Sequence, residues 1–491
     1  MNDFLLNIPW ASVLILLPMT GAIACFLWPK IVNYLGLLTL GGVFLSVIGL
    51  GIWLLENGVY RHAVGGWNAP LGIQLYADGL SLVMLGITAL VGLVVSVYAT
   101  AYFDRAQSER FWPLWLFLLT ALNALFLSAD IFNLYVTLEL LGLSAVALVA
   151  LGGGKAALSG AMRYLLASLL GSLFFLFGVA LLYHTYGSLD IATLSEQIES
   201  TPSVWAALGL MSAGLLLKTA LFPLHFWLPP AHSSAFSPIS ALLSALVIKA
   251  SFYLLLRLWL ELFWPISSRV ADLFGILGVM AILWGSLQAL RQTRVKMLVA
   301  YSTVAQIGYL FLAFPLAMVA GVTAWSAVIY LVVSHALAKA AMFMAAGNLL
   351  HFGGHDRIAD LDQLAQRLPL TVVAFALAGV SLMGLPPSGG FIGKWLLLEA
   401  ALMQGRWDLA VVMVLGGVLT AMYVFKVLGF AFTKASGERS KIKAVPIRME
   451  WAALLLASGA ILLGFLAPLI LPFLAIGAPF DTFLGDQEVM P

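Results

Sequence analysis

The sequence predicts an all-α polytopic membrane protein with about fourteen transmembrane helices. Hydrophobic residues make up 62% of the 491, charged residues only 9%, and the mean hydropathy is +1.04. Apolar stretches of about 20 residues, the length that crosses a bilayer, recur along the whole chain. The loops between them are short, which leaves no room for a soluble catalytic domain. The chain, 1–491, is therefore predicted to be a single transmembrane domain.

The predicted spans come from hydropathy alone, so their boundaries are approximate. In chain order they are 9–28, 33–55, 77–101, 112–128, 130–151, 160–184, 204–226, 237–262, 270–290, 297–315, 322–350, 370–402, 407–433 and 451–476. Three N-terminal helices occupy 1–111, and a loop with the last helix occupies 434–491. No strand is predicted.

Lysine and arginine positions predict the orientation, because cytoplasmic loops are enriched in them. With the N-terminus outside, the inside loops and their flanks carry Lys30, Arg105, Arg110, Lys155, Arg163, Arg291, Arg294, Lys296, Arg357, Arg367, Lys434, Arg439, Lys441, Lys443 and Arg448. The outside loops carry Arg61, Arg269 and Arg406, together with the acidic residues Asp190, Glu196, Glu199, Asp481, Asp486 and Glu488. We therefore expect both termini on the outer, periplasmic side of a bacterial plasma membrane.

Six basic residues remain inside spans. Arg257 and Lys426 lie toward segment ends, where a long side chain can extend to the headgroups. The other four lie nearer segment middles: Lys218, Lys249, Lys339 and Lys394. A charge at that depth costs a few kcal/mol by insertion scales and is typical of ion or proton pathways. With the intramembrane Glu139 they predict a proton or cation translocator; the alternative is lysines that tether helices through backbone carbonyls.

Two predicted spans contain helix-breaking prolines. The seventh ends KTALFPLHFWLPP at 218–230, and the twelfth contains GLPPSGGFIGK at 384–394. Proline removes a helical hydrogen bond, and lipid cannot satisfy the freed carbonyl groups. Paired breaks are typical of repeat-built transporters. We predict two inverted five-helix repeats, at about 112–262 and 270–433, each with its broken helix in fourth place; ordinary proline kinks are the alternative.

The histidines beside the first break are candidates for a proton-uptake path. His225 and His232 flank Pro229 and Pro230 on the predicted inner side, and imidazole titrates near physiological pH. The alternative is hydrogen bonding at helix ends near the headgroups. No metal is predicted, because the histidine spacing matches no usual zinc pattern. No cofactor is predicted either: a nucleotide-binding loop is missing from the sequence, and the single Cys25 cannot hold an iron–sulfur cluster.

Several motifs resemble the antiporter-like subunits shared by Mrp-type cation/proton antiporters, respiratory complex I and membrane-bound hydrogenases. The matching segments are DIFNLYVTLE at 130–139, KTALFPLHFWLP at 218–229, SPISALL at 237–243 followed by Lys249, KMLVAYSTVAQIG at 296–308, HALAKA at 335–340 and GLPPSGGFIGK at 384–394. The segments GGWNAPLGI at 65–73 and DGLS at 78–81 look most like the D-type member of the Mrp antiporters.

The resemblance implies roles for the matching positions. Glu139 and Lys218 would form a coupled ion pair, Lys249 would be the central proton relay and Lys394 the terminal one. His335 and Lys339 would bridge the two halves through intervening water.

Three functions remain open. The first is a proton-translocating subunit of a multi-subunit Na⁺/H⁺ antiporter. The second is a proton-pumping membrane subunit of a redox complex, such as complex I or a hydrogenase, which would make the complex an enzyme. The third is a membrane scaffold of an inorganic-carbon uptake module. All three imply other hydrophobic subunits and lipid as partners, and none implies nucleic acid.

Overall fold

The computed structural model describes residues 8–67, 72–266, 268–433 and 443–477. Some residues used to predict the orientation lie outside this part of the chain: Lys434, Arg439, Lys441, Asp481, Asp486 and Glu488. The same holds for 68–71, within the segment that resembles the D-type Mrp member. The orientation of the termini stays a prediction.

Helices make up most of the described chain, as the apolar composition predicts. They are α1 (Trp10–Leu27), α2 (Val32–Asn57), α3 (Gly79–Tyr102), α4 (Arg105–Leu127), α5 (Ile131–Ala150), α6 (Gly154–Tyr186), α7 (Ile191–Gln197), α8 (Pro202–Thr219), α9 (Leu228–Ser234), α10 (Ser237–Leu242), α11 (Ile248–Leu258), α12 (Ser268–Arg291), α13 (Val295–Phe311), α14 (Ala313–Gly353), α15 (Leu364–Arg367), α16 (Pro369–Met383), α17 (Gly389–Met403), α18 (Trp407–Ala431) and α19 (Ile447–Ile470). Two π-turns, Leu243–Val247 and Trp259–Phe263, flank α11. Short 3₁₀ turns are Pro29–Ile31, Val64–Gly66, Trp264–Ile266, Ile358–Asp360 and Leu471–Ala475.

The predicted membrane class is confirmed. Among the described residues, 11 helical stretches are long and apolar enough to cross a membrane, and α13 and α16 are shorter apolar helices. Three of the fourteen predicted spans are absent from this set: the seventh and twelfth are divided at their breaks, and the tenth forms the shorter helix α13. The number of membrane crossings therefore stays a prediction.

Both predicted breaks occur where the prolines lie. Helix α8 ends at Thr219, Ala220 takes a left-handed conformation with φ 56°, and regular helix resumes only at Leu228. Helix α16 ends at Met383, and Gly384 has φ 82°. A left-handed residue after the last turn is a common way to end a helix, and glycine adopts it without steric cost.

One expectation of the sequence analysis is wrong: the described chain contains two strands. Tyr60–Ala63 (β1) and Gln74–Ala77 (β2) form an antiparallel hairpin, with Tyr60 paired to Ala77 and Ala63 to Gln74. Strands of four residues show only two positions on each face, which is too few for an alternating pattern to stand out. The hairpin marks one end of the molecule, here called the hairpin end.

Helix α14 runs through the middle of the fold. It has 41 residues, most of them buried, with a non-helical residue at Ala320. It packs against α3, α10 and α13 on one side and α16, α17 and α19 on the other. Helix α13 stops at Phe311, four residues before the predicted end of the tenth span. The non-helical Ala320 within α14 lies next to the predicted start of the eleventh span at 322.

Isolated backbone bridges hold the starts of α5 and α13 in the same way. Asp130, just before α5, bridges to Asp190, and Arg294, just before α13, bridges to Arg357. Asp130 also caps α5 by accepting from the Asn133 N–H at 2.7 Å. Matched bridges of this kind are what two related five-helix units would produce. The division into 112–262 and 270–433 stays a prediction.

Candidate functional site

The end of α8 brings an ammonium group beside a carboxylate. Lys218 Nζ lies 4.0 Å from Glu139 Oε1 of α5 and donates to Ser168 Oγ of α6 at 2.8 Å. It also contacts the Leu138 carbonyl at 3.5 Å. Glu139 Oε1 is buried and has no hydrogen-bond partner among the described residues. The pair is therefore close but loosely coupled, and the serine hydroxyl is its shortest link.

Glycines allow the three helices to approach this closely. A Cβ on Gly142 would lie 2.3 Å from Ser168 Oγ and 3.6 Å from Lys218 Nζ. A Cβ on Gly214 would lie 2.3 Å from the Gly171 carbonyl oxygen. Both 2.3 Å distances are below van der Waals contact, so only glycine fits. Small residues at such contacts are common where membrane helices pack.

Lys249 lies at the start of α11, directly after the first π-turn. Its side chain is buried, and Nζ donates to the Ser244 carbonyl in that π-turn. The Ser244 hydroxyl pairs with Thr303 Oγ1 of α13 at 3.0 Å. π-turns are frequent at functional sites because they free backbone carbonyls from the regular helical pattern. Lys249 therefore has a neutral carbonyl partner and is oriented toward α13.

Lys339 on α14 is held by α13. Its Nζ donates to the Val299 carbonyl at 3.1 Å and to Ser302 Oγ. The side chain is buried, and neither of these partners carries a charge. Lys249 acts on Lys339 electrostatically, so the two lysines lie within range of each other.

His335 is one helical turn from Lys339 on α14. Both ring nitrogens are buried and lack a hydrogen-bond partner among the described residues. Lys249, Lys339 and Lys394 all act electrostatically on this imidazole. His335 is thus within electrostatic range of the central lysines and of the lysine beside the second break. These buried or half-buried groups are here called the central series: Glu139, Lys218, Lys249, Lys339, His335 and Lys394.

His232 lies inside the protein rather than near headgroups. It is fully buried on α9, its ring stacks on Phe343 with centroids 4.8 Å apart, and both nitrogens lack a partner among the described residues. Lys296, Lys339 and Lys249 act on it electrostatically. The structure therefore places His232 against the central series.

Lys296, assigned to the flank of an inside loop, is the second residue of α13, and its burial was not predicted. It is 2% exposed, and its Nζ donates to the Ala235 carbonyl. Asp356 accepts from the Lys296 backbone N–H at 2.8 Å and from Arg294 Nε at 2.7 Å, which fixes the start of α13. Thr303 lies seven residues after Lys296, two turns further along α13 and on the same face of that helix. This helical spacing of polar residues is the sequence pattern from which the burial of Lys296 could have been predicted.

His225 lies in the break between α8 and α9. It is half-buried, and its ring stacks on Phe222 at 5.5 Å between centroids. Phe222 in turn contacts Trp284 of α12 at 5.8 Å. His225 Nδ1 is buried without a partner among the described residues, so the ring can still bind a proton or a water molecule.

The Lys394 side chain binds a backbone carbonyl group at the second break. Its Nζ donates to the Leu382 carbonyl at 2.6 Å and lies 4.1 Å from the centroid of the Tyr309 ring. In a continuous helix the Leu382 carbonyl would bond to the N–H of residue 386, but Pro386 has none. The lysine takes the place of that missing donor, and the ring adds a cation–π contact.

A cavity of about 320 Å³ opens beside Lys394. Its walls come from α17, α18 and the break, and they include Trp395, Val414 and Val418, which are exposed on the outer surface of the fold. Lys394 is therefore the one member of the central series that the structure places on such an opening, within the described cavities.

The headgroup interpretation of Arg257 is wrong. The side chain is 4% exposed, and NH1 and NH2 bind both oxygens of the buried Asp78 at 2.6 and 2.9 Å. NH1 also binds Glu261 at 2.8 Å. Asp78 also caps α3 by accepting from the Ser81 N–H at 2.8 Å. The cap and the ion pair share one carboxylate because α3 and α11 meet at the hairpin end.

Lys426 is half-buried near the end of α18. Its Nζ donates to the Leu290 and Gln292 carbonyls, both at 2.7 Å. These carbonyls lie at the C-terminal end of α12, where helical partners are missing. Lys426 therefore caps a neighbouring helix, a structural role at the segment end.

Comparisons with known proteins agree with this architecture. The family model described as "NADH:quinone oxidoreductase/Mrp antiporter, TM" matches residues 128–420, and the one described as "NADH-Ubiquinone oxidoreductase (complex I), chain 5 N-terminus" matches 64–112. The chain therefore belongs to the NADH:quinone oxidoreductase/Mrp antiporter family of membrane subunits. The resemblance predicted from its motifs is confirmed.

Individual relatives come from both branches of the family. The chain is 36% identical to the N-type subunit of the NADH-quinone oxidoreductase of Desulforudis audaxviator, over 85% of this chain and 87% of the relative. It is 29% identical to the D-type subunit of the Na⁺/H⁺ antiporter of Alkalihalophilus pseudofirmus, over 87% of each. The fold matches a chain of the Mrp complex of Dietzia sp. DQ12-45-1b with a TM-score of 0.88, at 24% identity, over 97% of this chain and 99% of that one.

Proposed function

We propose that this chain is the proton-translocating, D-type subunit of a multi-subunit Na⁺/H⁺ antiporter. The observation that carries the proposal is the central series itself, buried ionisable groups that extend from the Glu139–Lys218 pair to Lys394 at the second break. Buried charges without a structural partner of opposite sign are costly in a membrane, and a proton pathway explains why they are kept. The relationship to D-type antiporter subunits supports the cation/proton assignment.

The Glu139–Lys218 pair acts as the loading step. A proton on Lys218 is stabilised by the carboxylate at 4.0 Å and by Ser168 at 2.8 Å. When Glu139 moves away or is neutralised, the ammonium loses its only charged partner among the described residues. The proton then leaves toward Lys249, and the amine is ready to accept another.

The centre of the series passes the proton across α14. Lys249 and Lys339 hold protons against neutral carbonyl and hydroxyl oxygens, so neither is locked in an ion pair. A neutral His335 accepts a proton at one ring nitrogen and releases one from the other. Lys394 receives it, because the Leu382 carbonyl and the Tyr309 ring both stabilise an ammonium.

The uptake path lies on the side of α9. His232 and Lys296 are buried, His232 is within electrostatic range of Lys296, Lys339 and Lys249, and His225 lies in the adjoining break. A neutral imidazole there can carry a proton from the predicted inner surface. This extends the predicted uptake path by Lys296.

A redox-driven pump is the second candidate function. The 36% identity to an N-type quinone oxidoreductase subunit favours it, because that relative covers most of this chain. The same central series would then be driven by electron transfer in partner subunits instead of by a cation gradient. Both functions place the chain among other hydrophobic membrane subunits in a bacterial plasma membrane.

The test uses inside-out vesicles that contain the native complex, with a pH-sensitive dye. We expect NaCl to collapse a preformed pH gradient with the wild type and not with Lys218→Ala or Glu139→Gln. Lys155→Ala, an exposed lysine at the start of α6, is the matched control and keeps wild-type exchange. If formation of the pH gradient requires NADH or hydrogen and does not depend on NaCl, the redox pump is favoured. Wild-type exchange by both variants at normal protein levels would contradict the proton-relay proposal.

A further inference from the structure

A row of polar residues continues from Lys249 toward the hairpin end. Tyr253, Arg257 and Glu261 follow Lys249 at intervals of four residues, which places all four on one face of α11 and the π-turn after it. The row spans about 18 Å along the helix axis at 1.5 Å per residue. Exposure rises along it, from 1%, 3% and 4% for the first three to 29% for the Glu261 side chain.

Hydrogen bonds connect the outer three members. Arg257 NH2 donates to the Tyr253 hydroxyl at 2.9 Å, and NH1 donates to Glu261 Oε1 at 2.8 Å. The Tyr253 hydroxyl also donates to the Phe126 carbonyl at 3.1 Å and lies 3.2 Å from Ser81 Oγ. The hydroxyl thus has more than one acceptor and can change its donor direction without leaving the network.

The charge balance distinguishes the two carboxylates around Arg257. Asp78 is fully buried and binds both terminal guanidinium nitrogens, so its negative charge is matched. Glu261 binds one nitrogen through one oxygen and is partly exposed. The cluster therefore holds two carboxylates against one buried guanidinium. Arg61, which lies 5.0 Å from the centroid of the Tyr76 ring, also acts electrostatically on Glu261 but forms no ion pair with it among the described residues. Glu261 is the carboxylate that can take up a cation, in particular a proton, without leaving a buried charge unpaired.

We propose that Tyr253, Arg257 and Glu261 form a second outlet of the relay, with Glu261 as its terminal proton-binding group. This inference rests on the proposed function, since Lys249 must carry protons. A proton leaving Lys249 through water binds the Tyr253 oxygen while the hydroxyl releases its own proton to a second water molecule. That water carries the proton past Arg257 to the Glu261 carboxylate. The Glu261 carboxylate then passes it to water at the hairpin end. Arg257 stays protonated throughout and positions the carboxylate.

The test measures proton transport per assembled complex in the same vesicles. Glu261→Gln keeps an oxygen for Arg257 but cannot bind a proton as a carboxylate does, and we expect the rate to fall by about tenfold or more. Glu109→Gln is the matched control, because Glu109 forms the same i,i+4 pair with Arg105 at 3.1 Å on the surface. Lys249→Ala is measured in parallel to test the relay itself.

The outcomes separate this inference from the proposed function. If Glu261→Gln transports like Glu109→Gln while Lys249→Ala is inactive, the outlet is refuted and the relay stands. If Lys249→Ala also transports at the control rate, both fail. If Glu261→Gln does not assemble, Tyr253→Phe is the deciding variant, because it removes only the hydroxyl group. A lower transport rate per complex supports the second outlet, and a wild-type rate overturns it.

Discussion

Replacing Ser168 by alanine tests how Lys218 is held in its charged form. Ser168 Oγ accepts from Lys218 Nζ at 2.8 Å, whereas Leu138 and Glu139 lie at 3.5 and 4.0 Å. Charge-assisted hydrogen bonds have lengths of about 2.7–2.9 Å, so the serine supplies the only one of normal length among the described residues. The substitution removes that bond and one oxygen atom from a buried position.

The expected magnitude follows from the value of such a bond. A hydrogen bond to a charged group contributes about 1.5–3 kcal/mol. Losing it makes the protonated lysine less favourable by that amount, which corresponds to about a tenfold to hundredfold lower rate if loading of Lys218 limits transport. Glu139 moderates the loss, because it still attracts the ammonium.

The assay is NaCl-driven collapse of the pH gradient in inside-out vesicles, normalised to the amount of assembled complex. Ser172→Ala is the control: it lies one turn along α6, is equally buried, and its Oγ has no hydrogen-bond partner among the described residues. We expect Ser172→Ala to transport normally. If Ser168→Ala does so too, the serine does not hold the loaded lysine and the reasoning is wrong.

Three further substitutions act at separate points. Gly142→Ala should lower transport as Ser168→Ala does, because its Cβ would meet Ser168 Oγ at 2.3 Å and displace it; the vesicle assay measures this. Lys296→Met should lower the transport rate at normal protein level, since it removes the cation beside the buried uptake histidine. Arg257→Ala should destabilise the fold by about 3–5 kcal/mol, because it leaves a buried carboxylate unpaired; thermal unfolding in detergent measures this.

Each of these has a matched control on the same chain. Gly209→Ala lies on α8 with no heavy atom within 4 Å of its Cβ among the described residues, Lys443→Met changes an exposed lysine, and Arg406→Ala removes exposed ion pairs. We expect wild-type behaviour from all three. A test variant that is indistinguishable from its control contradicts the corresponding argument.

The sequence predicted the features that are local in the chain. Hydropathy located the apolar helices, and proline positions located both breaks, because the loss of an N–H acts within one turn. The second break also explains the hydrogen bond from Lys394 to the Leu382 carbonyl, because the two residues are only twelve positions apart. The close approach of Glu139 and Lys218 was predicted from the family resemblance. Local sequence patterns do not show which residues on different helices lie together.

The errors concern contacts between distant segments. Arg257 was expected at the headgroups, but its partner Asp78 lies 179 positions earlier in the chain. The burial of Lys296 was not predicted either, because Asp356, which binds the Lys296 backbone N–H and fixes the helix start, lies 60 positions later. The sequence around a basic residue near a helix end does not show whether its side chain extends to water or binds a buried acid. Only the tertiary structure distinguishes these two environments.

The matched bridges also show where the two halves differ chemically. Glu139 lies nine positions after Asp130, and the residue nine positions after Arg294 is Thr303. The first half therefore has a carboxylate at the position where the second has a hydroxyl, which pairs with Ser244 at 3.0 Å. Lys394 accordingly binds a carbonyl and a ring, and no salt bridge joins it to an acid among the described residues. A charge change at Glu139 can control the loading of Lys218 directly. Lys394 has no such partner among the described residues, so in the proposed relay its proton occupancy follows from the lysines and histidine that precede it. We therefore expect the first half to control the proposed relay.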